Sequence, residues 1–214
     1  MSAVEYVVIA AAGLGSRLGL GKPKCLVEID GYPIIAYQLE LLKDIPNIRV
    51  VVGFEELDVM RVVRELRPDA VFVRNPSFRS TTTLASYAMG AEYVDKSCLF
   101  IDGDIIFQPD SFRSFVKSCS KKNPLVGVTE AKTEDAVYAH IENNSVIRFS
   151  RSENSKFEWA NIVWVPPKYF SQEDRAVFER LEDDLPLPVC EVKSYEIDTA
   201  QDYEQASHHV YPLS

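Results

Sequence analysis

A short apolar run, Tyr6 to Ile9, passes directly into Ala10-Ala11-Ala12-Gly13-Leu14-Gly15-Ser16-Arg17-Leu18-Gly19, and Pro23-Lys24 follows shortly after. An apolar run of this length ahead of a glycine-rich turn predicts a buried strand whose end meets a ligand. Glycines let the backbone approach that ligand and turn its amides inward, while Arg17 and Lys24 supply positive charge. A polyphosphate suits such a cradle. The spacing excludes two commoner loops. A dinucleotide fingerprint starting at Gly13 needs Gly or Ala where Leu18 stands. A Walker loop ending at Gly21-Lys22 needs Gly at Ser16 and Ser or Thr at Pro23. The competing reading is a strand-to-helix turn that is merely rich in glycine.

With 214 residues the expectation is a single domain, 1–214, large enough to bury a sizeable core. The formal net charge of −9 argues against general nucleic-acid binding, which calls for a basic face. An acidic protein that binds a nucleotide must concentrate its cations locally or recruit a divalent metal. The first residues lack a basic n-region, and no apolar run approaches a membrane span of ~18 residues. The four cysteines, Cys25, Cys98, Cys119 and Cys190, form no CxxC pair and read as reduced, packed thiols. A cytoplasmic protein without membrane or nucleic-acid partners is expected; oligomeric state is left open.

Apolar runs and helical patterns alternate in the first half. Tyr6–Ala11, Ile48–Val52, Ala70–Val73 and Ser97–Ile101 read as buried strands, and Pro33–Lys43, Glu55–Leu66 and Thr82–Val94 as helices. Pro33 suits the first helical position. This rhythm predicts a mainly parallel sheet with helices on both faces. The second half offers short strands at Leu125–Val128, Val137–Ile141, Val146–Phe149 and Asn161–Val165, with Asn143-Asn144 as a hairpin turn. A helix over Gln172–Leu181, a strand over Cys190–Ile197 and a helix over Ala200–His208 complete the reading. The change of rhythm suggests a nucleotide half, about 1–110, and an acceptor half, about 111–214, on one sheet.

The strand Leu99-Phe100-Ile101 runs into Asp102-Gly103-Asp104. Ligands of open parallel sheets bind at the carboxyl ends of the strands, where two carboxylates suit a hard cation. Ordinary Asp-Gly turn chemistry is the competing explanation. Near the end of the chain, Glu196-Ile197-Asp198-Thr199 repeats the logic, Glu196 and Asp198 alternating to one face. Thr199 also reads as a helix N-cap, with Asp198 part of that cap.

These residues resemble nucleotidyltransferases of the sugar-phosphate and phosphocholine type, the MobA-like NTP transferases. Gly13 to Gly19 with Pro23-Lys24 is similar to their signature loop; Ile101 to Asp104 resembles their first metal motif, and Glu196 to Thr199 with Asp202 their last. The short length and the EIDT ending look most like cytidylyltransferases acting on phosphocholine, phosphonates or inositol phosphate. The resemblance implies a Rossmann-like three-layer α/β/α fold around a mainly parallel mixed central sheet. It implies transfer of CMP from CTP, or another NTP, to a small phosphate or phosphonate acceptor of the phosphocholine, 2-aminoethylphosphonate or 2-hydroxyethylphosphonate type, with release of pyrophosphate. Arg17 and Lys24 would be catalytic, Arg17 on the leaving phosphates and Lys24 on the α-phosphate. Backbone of Ala11, Ala12, Gly13, Leu14, Gly15 and Ser16 would cradle the nucleotide. Asn75, Ser80, Thr81 and Thr82 would read base and ribose, although three threonines replace the family's commoner Asn- or Gly-rich version. Asp102 would orient ribose or stay structural. Asp104, Glu196 and Asp198 would hold Mg2+. Lys156, Glu158, Trp159 and Asn161 would meet the acceptor, with Trp159 facing an amine and Glu158 adding charge. The rival within the enzyme class is a sugar-1-phosphate nucleotidyltransferase. The rival outside it is a catalytically inactive nucleotide-binding regulatory protein.

Overall fold

The computed structural model describes residues 4–13, 21–119, 124–132 and 136–213. The strands are β1 (Tyr6–Ala11), β2 (Glu28–Ile29), β3 (Tyr32–Pro33), β4 (Asn47–Val52), β5 (Val71–Arg74), β6 (Cys98–Asp102), β7 (Ile105–Phe107), β8 (Leu125–Glu130), β9 (Tyr138–Glu142), β10 (Ser145–Ser150), β11 (Phe157–Val165), β12 (Leu187–Glu191) and β13 (Ser194–Glu196). The helices are α1 (Ile34–Leu41), α2 (Glu56–Leu66), α3 (Thr83–Gly90), α4 (Pro109–Ser118), α5 (Val177–Glu182) and α6 (Ala200–Ser207).

Nine strands form one mixed sheet in the order β5-β4-β1-β6-β11-β8-β12-β10-β9, so a single sheet runs through both halves of the chain. The pairings β5–β4, β4–β1 and β1–β6 are parallel, as the alternating rhythm of the first half predicts. Among the described residues of the second half only β12–β8 is parallel, and β11 crosses antiparallel to β6, β8 and β9. Side chains alternate across each strand. Val7 and Ile9 of β1, Ile48, Val50 and Val52 of β4, and Leu99 and Ile101 of β6 pack with α1, α2 and α4. Val8, Val51, Cys98 and Phe100 face the other way, onto α3 and α5. The result is a three-layer α/β/α sandwich.

Several elements depart from the sequence reading. Pro33 stands at the N-cap of α1 rather than inside it. The helix expected over Gln172–Leu181 begins only at Val177, because the Arg175 carbonyl is taken by the Thr82 hydroxyl and Glu179 reaches back to the Ala176 amide at 2.7 Å. The strand expected over Cys190–Ile197 is two. The Val192 amide makes a last bond to Val128 O of the main sheet, and from Lys193 onward the chain pairs with the segment around β7 instead. Helix α4 and the β7–β13 ribbon were missed.

Candidate active site

The site is assembled at the carboxyl ends of β1 and β6. Gly103 makes that meeting close: its amide bonds Ala10 O at 2.9 Å, and a Cβ there would sit 2.9 Å from the same oxygen. Buried Gln38 of α1 pins the acidic turn from below, its Nε2 donating to Asp102 O at 2.7 Å and Ile105 O at 2.9 Å. The turn then leads into β7, which pairs with β13 so that Glu196 lies opposite Ile105, and the Ile197 amide bonds Asp104 O at 3.1 Å. This ribbon brings together two acidic motifs more than ninety residues apart in sequence.

Asp104, Glu196 and Asp198 each offer a carboxylate oxygen, all within 4.8 Å of one another. Lys24, at the start of a 3-10 turn (Lys24–Leu26), reaches into this group. Its Nζ donates to Asp104 at 3.0 Å and to Asp198. Burial would lower the Lys24 pKa, but Asp104, with Glu196 and Asp102 behind it, outweighs burial and holds the ammonium above its ordinary value. For Glu196, burial and the Asp104 charge push the carboxyl up to about 7 against the opposing pull of Lys24 and Asn161. Asp102 is raised well above the usual range by burial and by Asp104, although Tyr87 Oη donates to it at 2.6 Å. Asp202 belongs to the cap of α6: its carboxylate accepts from the Asp198 and Thr199 amides, and Thr199 Oγ1 accepts from the Asp202 amide. Thr199 is therefore the N-cap of α6, and the Asp202 carboxylate that completes the cap also holds the Asp198 amide in place.

The segment from Asn75 to α3 forms the neighbouring wall. Asn75 is buried and organises the loop, donating to Thr81 and Ser86 and accepting from the Ser77 amide. Thr81 Oγ1 donates to Ser77 O at 3.0 Å, and Thr82 Oγ1 to Arg175 O at 2.8 Å. Ser80 is not on the cleft wall, because its amide and hydroxyl both turn back to Ser77 O. The hydroxyls expected to read base and ribose are thus engaged in shaping the loop.

Elsewhere on the cleft wall, β11 carries a bulge between Trp159 and Val163, where Asn161 takes a left-handed φ of 50°. That conformation is tolerated by Asn and aims its Nδ2 at Glu196, 2.9 Å away. Glu158 and Trp159 are successive residues of an extended strand and alternate across it, yet both reach the wall of the same cleft. Trp159 packs on Phe149 at 5.8 Å, and Glu158 accepts from the Lys132 amide with Lys132 Nζ 3.8 Å from its second oxygen. Lys156 is exposed, lies over its neighbour Phe157 and takes no part in the cleft.

The cleft these walls enclose measures about 710 Å³. Ala11, Ala12, Gly13, Lys24, Asn75, Thr81, Thr82, Asp102, Asp104, Glu158, Trp159, Asn161, Glu196 and Asp198 all line it. Leu14, Gly15, Ser16 and Arg17 lie outside the described residues. Sequence reasoning missed Lys132 and Arg151, two cations on the cleft wall. Neither stands in a motif, and each follows a strand end that only the tertiary fold brings to the site.

The chain matches the family described as the MobA-like NTP transferase domain over residues 7–186. A CMP-5'-(3-aminopropyl)phosphonate synthase from Streptomyces rubellomurinus is 34% identical over 111 residues, 48% of this chain and 17% of that protein. The present chain therefore spans only a fraction of that relative's length. A choline-phosphate cytidylyltransferase from Streptococcus pneumoniae is 24% identical, the match covering 92% of this chain and 95% of the other. The inositol-1-phosphate CTP transferase from T. maritima has the same fold, with a TM-score of 0.82, 19% identity and all of both chains covered.

Proposed function

The chain belongs to the MobA-like NTP transferase family, and on that premise we propose that it moves CMP from CTP to a small phosphate or phosphonate acceptor. The observation that carries this reading is Lys24 set among Asp104, Glu196 and Asp198 at the strand ends, in the cleft that Gly13 also lines. An oxygen of the acceptor's phosphate or phosphonate attacks the α-phosphorus of CTP. The new P–O bond forms as the bond from the α-phosphorus to the bridging β-phosphate oxygen breaks, and pyrophosphate leaves with that electron pair. The acceptor is already anionic, so no general base is needed, and the protein contributes position and charge.

Lys24 exchanges its carboxylate partners for the α-phosphate and stabilises the charge developing there. Arg17, from the loop that follows β1, holds the leaving β- and γ-phosphates. The backbone from Ala11 to Ser16 cradles the triphosphate, and the loop organised by Asn75 flanks the nucleoside. Asp104, Glu196 and Asp198 supply the hard oxygen donors that fit Mg2+, which would neutralise phosphate charge when bound. The CTP preference is supported by the cytidylyl relatives named above, one of them 34% identical. A pyrophosphate-release assay crossing four NTPs with phosphocholine, 2-aminoethylphosphonate, 2-hydroxyethylphosphonate, inositol phosphate and hexose 1-phosphates tests the reading. Release with CTP and at least one phosphate or phosphonate is expected. Release only with another NTP corrects the base, and silence with every pair sinks the transferase reading in favour of a nucleotide-binding regulator.

A further inference from the structure

The loop from Asn75 to α3 commits its polar side chains to holding itself together. Asn75 Nδ2 donates to Thr81 Oγ1 and Ser86 Oγ, Ser80 Oγ and Thr81 Oγ1 both donate to Ser77 O, and Thr82 Oγ1 donates to Arg175 O. The same loop sets an aromatic ring on the cleft wall, that of half-buried Phe78. Close packing fixes the root of this side chain. The Phe54 amide bonds Ala12 O at 3.2 Å, which brings Gly53 against the end of β1. A Cβ on Gly53 would lie 2.7 Å from Phe78 Cβ and 3.0 Å from Ala12 Cβ. The bare α-carbon of Gly53 therefore lets Phe78 settle beside Ala12, which directly precedes Gly13. Phe54 packs on the ring with centroids 6.4 Å apart at 46°, and exposed Arg79, outside the cleft lining, carries its guanidinium 5.1 Å from the ring centroid.

We infer that Phe78 is the platform on which the base of the bound nucleotide stacks, so that this loop holds the base by its π-face rather than by side-chain hydrogen bonds. The inference deepens the nucleotidyl-transfer reading and rests on it for the identity of the ligand. A half-exposed phenyl ring in a polar cleft leaves hydrocarbon in water. A planar base laid on it removes that area from water and adds ring–ring attraction. Position favours the same partner. Phe78 adjoins Ala12, and the backbone from Ala11 onward is the part assigned to the triphosphate, so a nucleotide anchored there has its nucleoside within reach of the ring. The loop hydroxyls would have to give up the bonds that shape the loop before they could read a base, and stacking asks for none of them. Arg79 adds a cation to the ring in a chain of net charge −9, which again suits a polyanionic ligand.

The test is calorimetric binding of CTP with Mg2+ and no acceptor, beside binding of inorganic tripolyphosphate, which has the phosphates but no base. Phe78→Leu keeps a hydrocarbon contact with Phe54 and removes the π-face. It is expected to weaken CTP by about tenfold and to leave tripolyphosphate within about twofold of the wild type. Phe78→Tyr is expected to keep CTP affinity near the wild-type value. Should the Leu variant fold poorly, Phe78→Trp places a fluorophore in the platform, and CTP is expected to quench its emission beyond the response of the wild type, whereas tripolyphosphate is not. Unchanged CTP affinity in the folded Leu variant overturns the inference. Equal weakening of CTP and tripolyphosphate does the same, because Phe78 would then only hold the loop, as does a Trp variant whose emission responds to CTP no more than the wild type's. These outcomes leave the transferase reading standing, since pyrophosphate release by the wild type is measured separately. A wild type that binds no NTP removes both.

Discussion

Lys24 joins structure and proposed chemistry in one side chain. Its ammonium neutralises part of an acidic group that would otherwise repel itself, and the same charge is what a developing phosphorane needs. Replacing it with Ala is expected to lower kcat by a factor of about 10²–10³, as loss of a single oxyanion donor does. Near-normal turnover of Lys24→Ala in the pyrophosphate assay would contradict the role. Asp102 has the opposite balance. It is buried beside Asp104 and satisfied on one oxygen by Tyr87, and Lys24 offsets only part of what its negative charge costs there. Asp102→Asn keeps an acceptor for Tyr87 and removes that charge. Thermal unfolding at neutral pH in a chelator should show a Tm about 2–4 °C higher, the response of a chain this size to roughly 1 kcal/mol. A lower Tm would assign Asp102 a charge-dependent structural role. The acidic residues were readable from the sequence because they stand at strand ends in short motifs. Tyr87 and Gln38 were not, because they act through partners 15 and 64 residues away that only packing reveals.

At the scale of elements, the decisive features are the β7–β13 ribbon and the β11 bulge. Both are brief interruptions of regular structure. Ile105-Ile106-Phe107 is too short to declare itself a strand, and its partner Ser194–Glu196 looked like the tail of the preceding strand. The parallel core, by contrast, was visible from β1, β4, β5 and β6 as apolar runs between amphipathic helices. Helix α4 carried a usable signal that went unused: Pro109 at its start and Phe112 and Phe115 at helical spacing. The bulge hinges on Asn161, whose left-handed φ and bond to Glu196 are separable by substitution. Asn161→Ala and Asn161→Gly lose the same side-chain bond, but only Gly relaxes in the left-handed conformation. Urea unfolding is expected to leave the Gly variant more stable than the Ala variant by about 1 kcal/mol. Equal stabilities would mean the bulge refolds into a regular strand.

The whole molecule carries 32 acidic against 23 basic residues, and the structure distributes that excess into two populations with opposite responses to pH. On the surface, Arg148 holds Glu153, Arg175 holds Asp183 and Arg180 holds Asp184 below their ordinary pKa values. A carboxyl lowered on folding lends stability above its ordinary pKa, here 3.8 to 4.5, and withdraws it as pH falls through the lowered value. In the cleft, burial and mutual repulsion raise Asp102 and Glu196, the latter to about 7. A raised carboxyl keeps its proton in the folded state at pH values where the unfolded chain has lost it, so its contribution falls as pH rises from about 4.5 to about 7. Together the two populations place the stability maximum of the metal- and nucleotide-free protein on the acidic side of neutrality, near pH ~5. Melting temperatures measured across pH 3 to 8 in a chelator should therefore rise and then decline, and Glu196→Gln should flatten the declining limb alone. A Tm that climbs steadily to pH 8 would show that Lys24 fully compensates the cleft. The folded state holds these carboxylates together against their own repulsion, which is the cost expected of a surface shaped to receive cations and phosphates rather than to stabilise the fold.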